Sequence, residues 1–130
     1  MTANGESQVM RRLAVLLALL SLLASAGSAG AGGVPPFPRL AGNWSHAEIN
    51  VTIKKEPHTL ILDKGRITQI SATQLTLKEQ KGVTAVIPIQ DSTLVTIRGS
   101  AATIYFLRRG MTAQTMRIDG GPAVRIRATP

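Results

Sequence analysis

Cysteine is absent from the 130 residues. That excludes disulfides, thiolate zinc sites, a cysteine nucleophile and the lipidated cysteine of a bacterial lipoprotein. Aromatic residues are nearly as scarce, with one Trp, one Tyr and two Phe. Proteins that grip single-stranded nucleic acid stack bases on aromatics set among basic residues, and Phe37, Trp44, Tyr105 and Phe106 are not interleaved that way. Nucleic acid is therefore not the expected partner.

Negative charge is also in short supply, at 7 Asp and Glu against 15 Lys and Arg. Beyond the first 31 positions the carboxylates are Glu48, Glu56, Asp63, Glu79, Asp91 and Asp119, scattered among turns and strand ends. Glycoside hydrolysis needs two carboxyls held ~5–9.5 Å apart across a cleft, and no spacing here sets up such a pair. Asp63 and Asp119 stand ahead of glycines, where Asp is ordinary turn chemistry. His46 and His58 are the only imidazoles. A metal site wants three or four converging ligands, so these two read as exposed strand-end histidines and no metal or cofactor is expected. The chain has neither a G-x-S-x-G elbow nor a Ser-x-x-Lys pair, and a serine nucleophile needs an adjacent base. Catalysis is not expected, and a hydrolase with an unrecognised site ranks third among the functional readings.

One long apolar run exists, and it is short for a membrane span. A polar start ending in Arg11-Arg12 leads into Leu13-Ala14-Val15-Leu16-Leu17-Ala18-Leu19-Leu20-Ser21-Leu22-Leu23, then into Ala24-Ser25-Ala26 and Ala29-Gly30-Ala31. A basic segment, ~7–15 apolar residues and an A-x-A site compose a secretory signal peptide, whereas a spanning helix needs about 20 apolar residues. The expectation is a signal peptide over residues 1–31, cleaved after Ala26 or Ala31, and secretion to the periplasm, cell envelope or medium. The Arg11-Arg12 pair lacks the rest of a twin-arginine pattern. Residues 32–45 are rich in Gly and Pro and read as a linker, because Gly loosens the chain and Pro forbids ladder pairing. One domain of residues 46–130 remains.

Within it the hydrophobic period is two. Leu75 and Leu77 alternate with Thr76 and Lys78, and Val83, Ala85, Ile87 and Ile89 alternate with Thr84, Val86 and Pro88, which places one face of each strand on a core. Gln80-Lys81-Gly82 between them reads as a hairpin turn with Gly at positive φ. Ile49, Val51 and Ile53 alternate likewise, and Glu56-Pro57 is expected to end that strand because Pro cannot donate to a ladder. Asp63-Lys64-Gly65 is either a tight turn or a glycine bulge within one bent strand. Leu94-Val95-Thr96-Ile97 is a strand closed by Arg98-Gly99-Ser100, and residues 111–118 and 123–128 form a final hairpin around Asp119-Gly120-Gly121-Pro122. Residues 101–109 break the alternation and precede Gly110, as one short helical turn would. Six or seven short strands with turns between them predict an all-β fold, a small antiparallel barrel of OB-like or similar type; an open two-layer arrangement is the rival.

The run His58-Thr59-Leu60-Ile61-Leu62-Asp63-Lys64-Gly65-Arg66-Ile67-Thr68, with Ile87-Pro88-Ile89, Thr96-Ile97-Arg98-Gly99, Leu107-Arg108-Arg109-Gly110-Met111 and Gly120-Gly121-Pro122-Ala123-Val124-Arg125-Ile126, resembles a family of small exported bacterial β-barrel domains. The likeness lies in turn and core positions, so it implies a fold and carries over no catalytic or binding residue. Arg109 stands where the family more often has proline. The sequons Asn43-Trp44-Ser45 and Asn50-Val51-Thr52 are not expected to be glycosylated in the bacterial host that the resemblance implies.

Positive charge is what the chain has in excess. Losing Arg11, Arg12 and Glu6 with the leader takes the basic and acidic counts to 13 and 6, a net +7. From Arg98 onward Arg98, Arg108, Arg109, Arg117, Arg125 and Arg127 are opposed only by Asp119. Strand alternation sends Arg125 and Arg127 to the side opposite Ile126 and Ala128. Arg offers a planar fork to carboxylate and phosphate, so the basic C-terminal face is expected to meet an anionic cell-envelope polymer, an acidic protein or a lipid headgroup. A structural role, with a barrel edge pairing with another chain, is the alternative.

Overall fold

A computed structural model describes residues 33–130; the leader and both candidate cleavage positions lie outside the described residues. Residues 33–45 contain neither helix nor strand. Eight strands follow: β1 (His46–Ile53), β2 (Glu56–Ile70), β3 (Gln74–Lys78), β4 (Thr84–Pro88), β5 (Leu94–Ile97), β6 (Ser100–Ala102), β7 (Thr112–Ile118) and β8 (Ala123–Thr129), with single 3₁₀ turns at Gln80–Gly82 and Ile104–Phe106. The all-β expectation holds.

The strands make one sheet in the order β4-β3-β2-β7-β8-β5-β6, with β1 also paired to β2. It does not close into a barrel, it has eight strands where six or seven were expected, and one of its pairs is parallel. That pair is β5 with β8, in register from Leu94↔Arg125 to Ile97↔Ala128. The other pairs with a described register are antiparallel. A parallel pair needs a long crossover, here the whole stretch carrying β6, the second 3₁₀ turn and β7.

By compactness the chain falls into two units, Met1–Pro38 with Val51–Pro57, and Arg39–Asn50 with His58–Pro130. The described part of the first holds a two-residue turn at Lys54-Lys55, both left-handed (φ 51° and 67°). This pair, and not Glu56-Pro57, ends β1. Pro57 lies just inside the start of β2, a place where proline is tolerated because it need not donate to the ladder.

The second unit carries the core. Asp63-Lys64-Gly65 proves to be the bent-strand alternative: β2 runs unbroken for 15 residues. Leu60 to Arg66 pair with β7, and Arg66 to Ile70 pair with β3 across an irregularity between Ile67 and Gln69. Gly65 is at the bend for a steric reason. A Cβ there would meet the Lys78 carbonyl oxygen at 2.5 Å and the Glu79 Cα at 3.2 Å. Ile67, Leu75, Leu77, Ile87, Ile89, Val95, Ala113, Ala123, Ile126 and Ala128 all join one buried cluster with Ile104 and Leu107. Because β4 and β5 both reach this cluster, the sheet coils around it. The 3₁₀ turn drives Ile104 and Leu107 into the cluster, started by Thr103, whose hydroxyl accepts from the Tyr105 amide at 3.3 Å. Each large aliphatic side chain so buried contributes about 1.5–3 kcal/mol.

Candidate functional site

The cross-strand registers sort the side chains of β2, β7, β8 and β5 into two faces. Asp63, Thr115 and Ile126 stand opposite one another, as do Ala113 and Ala128, and this is the core face. The next positions point the other way. Lys64 pairs with Gln114, Gln114 with Arg127 and Arg127 with Thr96, a polar row across four strands. The neighbouring row is Leu62, Met116, Arg125 and Leu94.

Two guanidiniums and one ammonium therefore share a face, with Lys64 and Arg127 two strands apart, about 10 Å at the backbone. Trp44 lies against Lys64, whose Nζ is 4.5 Å from the ring centroid, a cation–π contact that orients the ammonium. Arg127 is exposed and donates to Gln114 Oε1 at 2.9 Å. Arg125 is half-buried, and burial pulls its guanidinium below its ordinary value. On this same face, in the row of Arg125, Leu62 and Met116 are fully buried.

The other arginines serve turns. Arg117 donates from Nε to the Gly121 carbonyl at 2.9 Å and from Nη2 to the Gly120 carbonyl at 2.7 Å, tying the β7–β8 hairpin it leaves. Arg108 donates to the Tyr105 and Leu107 carbonyls at 2.8 and 3.0 Å. Arg98 occupies the β5–β6 turn with φ 54°, and Arg109 is exposed beside Gly110. Arg125 and Arg127 share a face, and the other four lie at three turns, Arg98 with its amide on the Ala128 carbonyl at 3.0 Å, next to Arg127. Lys64, Gln114 and Trp44 were not singled out by sequence reasoning. Lys64 was within reach of it, being in step with Leu60 and Leu62. Trp44, in the linker, carried no such signal.

A second constellation lies on the core face. Asp63 is 3% exposed and Glu79 9%. Sequence reasoning gave Asp63 to a turn; it is instead a strand residue whose Oδ1 meets His46 Nδ1 at 2.7 Å. His46 Nε2 in turn meets Glu48 Oε2 at 3.1 Å. Hydrogen bonds to Asp63 and then Glu48 raise the imidazole above its ordinary value. Burial, and then Asp63, push the Glu79 carboxyl up to about 7. These residues do not form a metal site: no group of three or more His, Cys, Asp or Glu among the described residues is arranged to hold an ion.

His58, the other imidazole, pairs with Asp119 across the sheet end. Asp119 also accepts from the Thr59 amide at 2.8 Å, and these bonds, His58 first, hold its carboxyl below the usual range. The Tyr105 hydroxyl donates to Asp91 at 2.7 Å, which raises the phenol. An open groove of about 210 Å³ lies beside it, lined by Ile70, Ala72, Ile104, Leu107 and Arg108 among others.

Neither a protein-family model, a curated protein nor a solved structure matches the chain. No helix among the described residues is long and apolar enough to cross a membrane.

Proposed function

We propose that this is an exported, non-catalytic β-module that binds an anionic polymer of the cell envelope across the basic face of β2, β7, β8 and β5. The observation that carries the reading is the row Lys64, Gln114, Arg127 and Thr96, flanked by Arg125 and by Trp44. Guanidinium forks suit carboxylate and phosphate, and a row about 10 Å long from Lys64 to Arg127 suits a chain of repeated charges better than one small anion. Replacing Arg125 and Arg127 together by Glu is expected to abolish retention on an anionic cell-wall polymer at low salt. Retention equal to that of the parent would remove this face from consideration.

A second reading, assembly through a sheet edge, is favoured by β4. This strand ends the sheet, and Val83 and Val86 on and beside it are 56% and 51% exposed. Unpaired edge strands are templates for another chain. Oligomerisation that persists at high salt selects this reading, since salt screens only the electrostatic one.

A further inference from the structure

Glu79 poses an unsatisfied problem in the core. Its Oε2 is buried and has no hydrogen-bond donor, and its backbone lies against Gly65, two residues along the same face of β2 from Asp63, where an added Cβ would meet the Glu79 Cα at 3.2 Å, which brings the two acids into one neighbourhood. Two buried carboxylates facing each other repel, and a buried acceptor left without a donor is costly. One proton removes both penalties, because a neutral Glu79 donates to Asp63 and leaves a single negative charge. The same Asp63 carboxylate also meets His46 Nδ1 at 2.7 Å.

We propose that Asp63 and Glu79 share one proton, and that this pair, with His46, is a pH-operated latch fastening β1 onto β2. With the proton present, Asp63 accepts from Glu79 and from His46 Nδ1, while His46 Nε2 donates to Glu48. That doubly donating imidazole is the protonated form. As pH rises Glu79 loses its proton into a place with no donor, and His46 loses one of its two N–H groups. Asp63 then faces a second negative charge, and His46 cannot donate to Asp63 and Glu48 together. The groups facing the pair are His46 and Glu48 from β1 and the neutral Thr115 from β7, whose hydroxyl donates to the Asp63 backbone carbonyl at 3.4 Å. The latch lies next to the rung in which the Lys64 amide donates to the Ser45 carbonyl at 2.8 Å, so opening exposes that amide.

The full chain supplies the test. The carboxyl carbon of Glu79, followed by NMR, is expected to titrate with a midpoint near 7. Hydrogen exchange at the Lys64 amide, corrected for intrinsic base catalysis, should report an opening constant that rises by up to tenfold per pH unit between 4.5 and that midpoint and levels off above it. In Glu79→Gln the amide donates to Asp63 at every pH, and the Glu79 part of this rise should vanish. A Glu79 midpoint near 4.5 overturns the proposal, and so does Lys64 opening that ignores pH. The titration of the parent chain decides the matter even if the Gln variant does not fold.

Discussion

Replacing Gly65 by Ala tests the closeness on which the bent strand depends. The added methyl would stand 2.5 Å from the Lys78 carbonyl oxygen, where ordinary contact begins at 3.4 Å, so β2 or β3 must retreat by about 1 Å, an overpacking of the kind that costs ~1–3 kcal/mol. Gly65 is not among the glycines at positive φ, so alanine adds no backbone strain. The lower entropy of the unfolded alanine chain returns about 0.4–1 kcal/mol. The net loss is about 1–2 kcal/mol, or roughly 5–15 °C in Tm for a domain of this size. Thermal unfolding followed by circular dichroism measures it. Gly121→Ala is the matched control, because its nearest neighbour, the Ile118 carbonyl oxygen, lies at 3.4 Å and its φ is also unexceptional. A Gly65→Ala chain that melts at or above the parent temperature would refute the argument. By parting Glu79 from Asp63, the same substitution should also move the Glu79 midpoint downward.

Stability should fall as pH rises from 5 to 8. Glu79 and His46 both have folded values raised above their ordinary 4.5 and 6.5, so their contributions are whole below those values and are lost as pH climbs through the folded ones; for Glu79 the loss is at most about 3 kcal/mol. Denaturant midpoints across that range give the slope. On the acid side Asp119 behaves oppositely: its lowered value contributes above 3.8 and is lost as pH drops, so Asp119→Asn should flatten the acid limb of the same profile. Ile87→Ala, at a fully buried position, should cost about 2–5 kcal/mol in urea unfolding. If the β4 edge joins two chains, Val86→Lys should leave the melting temperature of dilute protein unchanged and lower the oligomer fraction measured by sedimentation.

The core was largely legible because period-two alternation is a local signal. Leu75, Leu77, Ile87 and Ile89 were placed on one face by spacing alone, and all four are buried. The turn at Lys81-Gly82 and the hairpin around Asp119 were likewise written in short stretches, with left-handed residues at Lys81, Gly82, Asp119 and Gly120. What escaped was set by partners distant in the chain. Asp63 resembles a turn residue locally, and only His46, 17 positions earlier, and Glu79, 16 positions later, reveal it as a buried acid. Lys54-Lys55 carries no Gly, Asn or Asp to advertise a left-handed turn. The parallel union of β5 and β8 has no local signature, since strands of either direction alternate alike. At the basic face, alternation put Arg125 and Arg127 opposite Ile126 correctly. Clustering by sequence position carries no information on what each guanidinium touches, and Arg108 and Arg117 direct theirs to nearby carbonyls.

The position of β8 bears on the order of assembly. It lies between β7 and β5, and among the described residues the β5–β6 hairpin joins the rest of the sheet through it alone. Strands made earlier must therefore wait, with Val95 and Ile104 uncovered, until Ala123–Thr129 emerges and slots between them. Any truncation that removes this segment splits the ladder into two fragments, neither of which encloses the oily interior. A nascent chain paused before that point is a natural client for a holding chaperone.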